Sequence, residues 1–265
     1  MTTATLFIQG VGLCGPGLAD WDSAAKLLGG TLPYTRTPTA IPPPARLPAA
    51  ERRRAGTAIK IAIAVADEAC RQAGLDPARA ATIFASSSGD GTNCHALCEA
   101  LATPERLVSP TRFTNSVHNA AAGYWHIAVS GRAASTSVCA FDTGFAAGLV
   151  EAIGQLHQQP QPLLLVASDV PYPEPLHAAR PLVDSLGVAL VLHAAADGAL
   201  ARLSVTAQAD DVATPCSDEA LETVRRQIPA ARALPLLELL ARGRAGRIVL
   251  ECQPGMSLRV DVQPL

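Results

Sequence analysis

Short apolar segments alternate with longer segments of helical periodicity along most of the chain. Residues 81–91 (ATIFASSSGDG) predict a buried strand that opens into a Ser/Gly loop, and residues 163–170 (LLLVASDV) predict another buried strand. Between them, residues 133–141 are rich in β-forming side chains, and residues 142–159 have apolar positions at helical spacing. This alternation predicts an α/β fold in which helices cover both faces of a mixed, mainly parallel sheet.

The flanking segments add elements of both kinds. Residues 5–12 predict a first strand, and Asp20 to Leu28 a short helix that ends before two glycines. The strongest helical pattern, PAAERRRAGTAIKIAIAVADEACRQAG, begins at Pro48 and ends at Gly74, which predicts one long helix. Near the end of the chain, residues 217–228 and 234–244 predict helices, and residues 247–264 a hairpin that turns at Pro254-Gly255.

Composition limits the classes of protein that fit. The 265 residues are 49% hydrophobic and 17% charged, which is enough apolar material for one substantial core, and no linker divides the chain. We therefore expect a single domain over residues 1–265.

Charge and hydropathy exclude two classes of partner. The net charge is −2 and no long basic run occurs, which argues against nucleic-acid binding. No uncharged apolar run is long enough to span a membrane, and the N-terminus lacks a secretory signal pattern. Seven scattered cysteines, an odd number, are typical of a reduced, cytoplasmic protein.

Two local motifs could bind a metal or a cofactor, and neither is complete. Cys94, His95 and Cys98 offer three metal ligands, but no fourth ligand is evident nearby. The Ser/Gly loop after residues 81–86 has no following Lys and matches neither the P-loop nor the dinucleotide pattern. We therefore expect no metal and no cofactor.

Four segments, in order, resemble the N-terminal half of β-ketoacyl-acyl-carrier-protein synthases. They are LFIQGVGLCGPG (6–17), ATIFASSSGDG (81–91), PTRFTNSVHNAAAGYWHIAVSG (110–131) and VDSLGVALVLHA (183–194). The resemblance spans residues 1–205 and implies a thiolase-like, layered α-β-α architecture. Residues 206–265 would then be a strongly shortened remnant of the family's C-terminal half.

The resemblance locates the family's nucleophile within residues 139–144 (CAFDTG). Active members carry small-Ala-Cys-small-small-Gly here, with the Cys at the N-terminus of a buried helix that favours its thiolate. Alignment of Ala140 and Gly144 with that string puts Phe141 in the nucleophile's place. The alternative alignment makes Cys139 the nucleophile and puts Asp142 where Gly belongs. We favour the first, with Phe141 as a buried ring near the acyl tunnel and Asp142 as the helix N-cap.

The positions of the histidines support the same interpretation as Phe141 in the nucleophile's place. In this family, two histidines from the C-terminal half support decarboxylative condensation. Here no histidine follows His193, so none occurs in the last 72 residues. The resemblance therefore implies a catalytically silent subunit of the chain-length-factor kind, as in aryl-polyene and type II polyketide systems. Such a subunit pairs with an active β-ketoacyl synthase and helps to shape the acyl tunnel.

Other interpretations stay open on the sequence alone. Cys139 could be the nucleophile of an acyltransferase or thioesterase, with His118 or His126 as its base, or the chain could be a binding module without acyl chemistry. Arg52, Arg53 and Arg54 could dock an acidic acyl carrier protein, although a solvated helix face explains the same pattern more simply.

Overall fold

One eight-stranded sheet runs through the computed structural model, which describes residues 3–159 and 161–265. The sheet order is β3-β2-β4-β5-β1-β6-β8-β7. The strands are β1 (Thr3–Cys14), β2 (Ala81–Ser86), β3 (Ser135–Cys139), β4 (Leu163–Asp169), β5 (Leu186–His193), β6 (Ala201–Ala209), β7 (Gly246–Gln253) and β8 (Met256–Pro264). The helices are α1 (Trp21–Leu28), α2 (Ala49–Arg54), α3 (Thr57–Gln72), α4 (Gly91–Ala102), α5 (Pro110–Thr114), α6 (Ala120–Val129), α7 (Gly144–Gln158), α8 (Leu176–Ala179), α9 (Glu219–Gln227) and α10 (Leu234–Arg242).

The pairing pattern confirms a mixed sheet but corrects the expectation that it is mainly parallel. Among the described strands, only β2 pairs in parallel, with β3 and with β4, and the five other pairings are antiparallel. Parallel neighbours need a long crossover, usually through a helix. The segment between β4 and β5 holds only the four-residue α8, and β7 turns directly into β8 at Gly255 with φ 81°. Both connections return the chain in the opposite direction.

Helices cover the two faces of the sheet, so the layered α-β-α architecture is confirmed. Residues of β4 alternate between two apolar clusters: Leu163 and Leu165 pack in the cluster that contains α7, α1 and α10, and Leu164 packs in the cluster that contains α3 and α6. Since successive side chains of a strand point to opposite faces, these clusters are the two helical layers.

Glycines in β1 allow α3 to lie very close to the sheet. A Cβ atom at Gly10 would lie 2.3 Å from the Ala69 carbonyl oxygen, and one at Gly12 would lie 2.0 Å from the Val65 carbonyl oxygen. Any side chain at either position would push the helix away. The small residues of the predicted first strand therefore set the spacing of this layer.

The predicted helix from Pro48 to Gly74 is two helices. Ala55 is extended (φ −68°, ψ 120°), and Gly56 is the N-cap of α3. The Asn115 side-chain amide donates to the Arg54 carbonyl oxygen at 3.0 Å, so a residue from a distant segment replaces an intrahelical bond at the break.

Within residues 3–159 and 161–265, no helix has both the length and the apolar composition that crossing a bilayer requires.

Candidate functional site

A tight strand-to-helix turn follows β3. Cys139 is the last residue of the strand, residues Phe141–Thr143 form a 3-10 turn, and α7 begins at Gly144. Phe141 has φ 49°, in the left-handed region that side chains other than Gly and Asn seldom adopt. Strained backbone of this kind is frequent at functional sites, including the turn that presents a nucleophile between a strand and a helix. We call residues 139–144 the elbow.

The Phe141 ring lies at the surface of the elbow and not in a buried pocket. Its exposed fraction is 62%, so the expectation of a buried ring is wrong. The Arg180 guanidinium covers one face of the ring, with its central carbon 3.6 Å from the ring centroid. The ring is held by a cation–π contact in place of core packing.

Asp142 links the elbow to three distant segments by charge. Its carboxylate accepts from Arg180 at 2.5 Å and from Arg232 at 3.3 Å, and Arg232 also pairs with Glu251 in β7. The expected role of Asp142 as a helix N-cap is wrong. Thr143 is the N-cap residue and makes no side-chain cap bond, whereas Asp142 lies one residue earlier in the 3-10 turn and pairs with the two arginines.

Cys139 is exposed, and its thiol donates to the Ser87 carbonyl oxygen at 3.0 Å. His126, one of the two candidate bases, bonds to Thr82 at 3.3 Å. The β2–β3 register places Cys139 opposite Ser86, so His126 contacts the other end of β2, about 13 Å along the strand. His118 lines a small cavity beside β2, and within the described residues it makes no hydrogen bond to Cys139.

A buried carboxylate that our sequence reasoning missed binds Ser87, whose carbonyl oxygen accepts from Cys139 in the elbow. Asp169, at the end of β4, is 6% exposed and accepts from the Ser87 amide at 2.7 Å and the Ala230 amide at 2.9 Å. Burial raises the pKa of Asp169 above the usual aspartate range, and these amide donors act in the opposite direction. Ser87 also contacts the Tyr172 hydroxyl at 3.0 Å. The signal in the sequence was an acidic residue that ends an otherwise apolar strand.

A wide cleft of about 1130 Å³ opens beside the elbow. Its walls are residues 140–143 of the elbow, the outer face of α7 at Ala147 and Val150, the loop 210–213 and the β7–β8 hairpin tip at 251–256. We call it the elbow cleft. The elbow contains all four residues expected at the nucleophile position: Cys139, Phe141, Asp142 and Gly144. Of these, Phe141 and Asp142 line the elbow cleft.

The three arginines of α2 lie in a different part of the molecule. Arg52, Arg53 and Arg54 are all exposed, and Arg54 pairs with Glu51 at 2.8 Å. Arg53 and Arg54 line a polar cleft of about 730 Å³ together with Arg112. None of the three residues of α2 lines the elbow cleft.

The incomplete metal motif forms no cluster of ligands. Cys94 and Cys98 are exposed on α4, and His95 pairs with Glu99 at 3.3 Å. Among the residues that the structure describes, no group of three or more His, Cys, Asp or Glu side chains is arranged to hold a metal ion.

Comparison with known families decides the classification. Residues 21–249 match the model of the β-ketoacyl synthase N-terminal domain. The chain belongs to this family. No curated protein sequence matches this ketosynthase-family chain at a significant level.

Solved structures have the same fold as this ketosynthase-family member. A chain of the ketosynthase (ApeO) in complex with its chain length factor (ApeC) from Xenorhabdus doucetiae has a TM-score of 0.74 at 23% identity, over 97% of this chain and 99% of that one. The ishigamide ketosynthase/chain length factor gives 0.71 at 15% identity, over 98% and 99% of the two chains. A type II polyketide ketosynthase bound to its acyl carrier protein and a hexaketide, AntDE:AntF, gives 0.72 at 13% identity over the whole of both chains. The thiolase-like fold expected from the sequence is confirmed.

Proposed function

We propose that this chain is a catalytically silent ketosynthase homologue of the chain-length-factor kind. It pairs with an active β-ketoacyl synthase and helps to shape the tunnel for the growing acyl chain. The observation that carries the proposal is Phe141 in a left-handed conformation at the elbow, between β3 and the N-terminus of α7. This backbone conformation is typical of a nucleophile between a strand and a helix. The side chain that occupies it is a phenyl ring, which cannot attack a thioester.

The surroundings of Phe141 support the same proposal. Arg180 lies over the ring, and Asp142 binds both Arg180 and Arg232. These contacts hold a phenyl ring and a neutralised carboxylate at the place where an acyl thioester would have to approach. The sequence also has no histidine after His193, so this chain has no imidazole in the region that supplies two of them in active members.

The alternative, an enzyme that uses Cys139, has less support. The Cys139 thiol donates to a backbone carbonyl, and His126 is engaged at the far end of β2. A cysteine nucleophile requires a neighbouring base or another feature that favours its thiolate. Neither histidine bonds to this thiol in the described part of the chain.

We further propose that residues 1–265 form a single ketosynthase-like domain, in which residues 206–265 are a reduced C-terminal remnant. The continuous sheet supports this proposal, because β8 pairs with β6, and β6 pairs with β1. The remnant therefore extends the sheet of the first half.

The open edge of the sheet favours β3 as the contact with the partner synthase. β3 is the terminal strand, pairs only with β2 among the described strands, and is at least partly exposed along its whole length. An unpaired edge strand is a template for another chain. The Thr82 amide bonds to the Ala134 carbonyl, so alternation along β3 directs the backbone of Ser137 away from β2 and toward this edge.

Exposed apolar side chains near the polar cleft favour an interface with the partner synthase that is larger than β3 alone. The α4–α5 region exposes four large apolar side chains within a short stretch of sequence, and grouped exposed apolar side chains are typical of interaction surfaces. They are Leu101, Leu107, Phe113 and Val117.

For the acyl carrier protein, the proposed contact is the exposed group Arg52–Arg54 on α2. A surface with several guanidinium groups suits an acidic carrier.

Reconstitution with the β-ketoacyl synthase encoded nearest to its gene tests the proposal. We expect a heterodimer by light scattering, no acyl adduct on Cys139 by intact mass, and synthase activity that changes less than about twofold in Cys139→Ala. Ser137→Pro removes the outward amide and should weaken the pair, whereas Ser137→Ala keeps that amide and should not. An acylated Cys139, or a chain that stays monomeric beside the synthase, would refute the proposal.

A further inference from the structure

The elbow cleft has an apolar wall that no residue in the described part of the chain covers. Val212 in the loop 210–213 is 85% exposed, and Val150 on the outer face of α7 is 42% exposed. Met256 and Pro254 from the hairpin tip complete this wall. Contiguous exposed apolar surface of this kind is typical of a binding site.

The rim of the cleft carries an excess of negative charge. Four carboxylates line it, and two of them, Asp142 and Glu251, are neutralised by Arg180 and Arg232. The remaining two lie next to Val212 in the loop 210–213.

These two carboxylates, Asp210 and Asp211, are free to bind a cation from outside. In the residues that the structure describes, neither has an Arg, Lys or His within 4.0 Å. Both are held in place by neutral donors. Ser257 donates to Asp210 at 3.1 Å, and the Gln208 side chain donates to Asp211 at 3.2 Å. These donors restrain both carboxylates before any partner binds, which lowers the entropy cost of binding.

From the apolar wall and the charge of the rim, we infer that the elbow cleft docks an apolar segment of the partner synthase that carries an Arg or Lys side chain. The apolar side chains of the segment lie between Val150, Val212 and Met256, and the basic group pairs with Asp210 and Asp211. The cleft is wide and open, and its apolar wall is exposed, which suits a peptide segment of a partner protein. The inference rests on the proposed function, since it requires a partner synthase.

Cross-linking from inside the cleft tests which segment binds there. The photoreactive residue p-benzoylphenylalanine replaces Val212, or in the control Leu32, an exposed leucine outside the cleft. Each variant is irradiated in complex with the synthase encoded nearest to the gene, and the cross-linked peptides are sequenced by mass spectrometry. We expect position 212, and not position 32, to capture one synthase peptide that contains apolar residues and a basic one.

Charge reversal tests the role of the rim. Asp210→Lys with Asp211→Lys should raise the Kd of the pair about tenfold at low salt, with a smaller effect at high salt. Asp22→Lys with Asp197→Lys makes the same change in net charge at two exposed sites outside the cleft and should leave Kd within about twofold. Asp210→Asn with Asp211→Asn keeps the loop's hydrogen bonds and should give an intermediate Kd.

The outcomes separate this inference from the proposed function. An intact heterodimer with no cross-link from position 212 and an unchanged Kd in the charge-reversed variant overturns the inference alone. A cross-linked peptide without any basic residue also overturns it. A chain that forms no complex with the synthase overturns both.

Discussion

Asp169 gives the sharpest test of how the fold supports the elbow. Its carboxylate is the acceptor for two buried amides, from Ser87 after β2 and from Ala230 in the turn before α10. Asp169→Ala leaves both donors without a partner, at about 1–3 kcal/mol each. Part of this cost is offset because a buried carboxylate is no longer desolvated, so we expect a loss of about 2–4 kcal/mol in the free energy of unfolding.

Urea unfolding followed by circular dichroism measures this loss. The matched control is Asp67→Ala, which removes a half-exposed carboxylate whose only charged partner in the described chain is Arg46. We expect the control to cost less than about 1 kcal/mol. An Asp169→Ala variant within about 1 kcal/mol of the parent protein would refute the reasoning, because it would mean that the two amides find other partners or water.

The pH dependence gives a second result from the same residue. Since burial raises the pKa of Asp169 in the folded state, its contribution to stability is complete below the ordinary aspartate pKa and declines as the pH rises through the higher folded value. Asp169→Asn cannot titrate. The free energy of unfolding of the parent protein should therefore exceed that of the variant by the largest amount near pH 4 and by a smaller amount near pH 8. A difference that grows with pH would contradict the assigned direction of the pKa shift.

Three further predictions concern other parts of the chain. Arg225 holds the pKa of Glu222 at about 2, so Glu222→Gln should cost about 1–2 kcal/mol at pH 7 after allowance for solvent screening. This cost should shrink as the pH falls from about 4.5 toward 2, as measured by urea unfolding across that range. Phe141→Gly should be about 1 kcal/mol more stable than Phe141→Ala in thermal unfolding, because only Gly adopts the left-handed backbone without strain, and equal stability would remove the argument for strain at the elbow. Reversal of Arg52–Arg54 to Glu should slow turnover by the reconstituted pair at low salt and not at high salt, and an unchanged rate at low salt would assign these side chains to solvent.

Local patterns in the sequence were enough to identify many of the elements. The hairpin turning at Pro254-Gly255, the short helix before Gly29 and the helix after the elbow depend on turn residues, caps and periodicity, which are properties of neighbouring residues. The ordered motifs were also sufficient for the family, because the glycines and small residues they contain are required by close contacts such as that between β1 and α3.

Tertiary structure decided what depends on distant residues. The break between α2 and α3 involves a hydrogen bond from Asn115, 61 residues from Arg54. The antiparallel pairings of β1 join it to β5 and β6, which are distant in the sequence. Residues distant in sequence also determined the state of the elbow. Phe141 is exposed under Arg180, and Asp142 pairs with Arg180 and Arg232 and does not cap α7. A sequence pattern records which side chains are available, but the partner of a charge or a ring is set by the folded chain, because electrostatic and cation–π energies depend on distance in space and not along the chain.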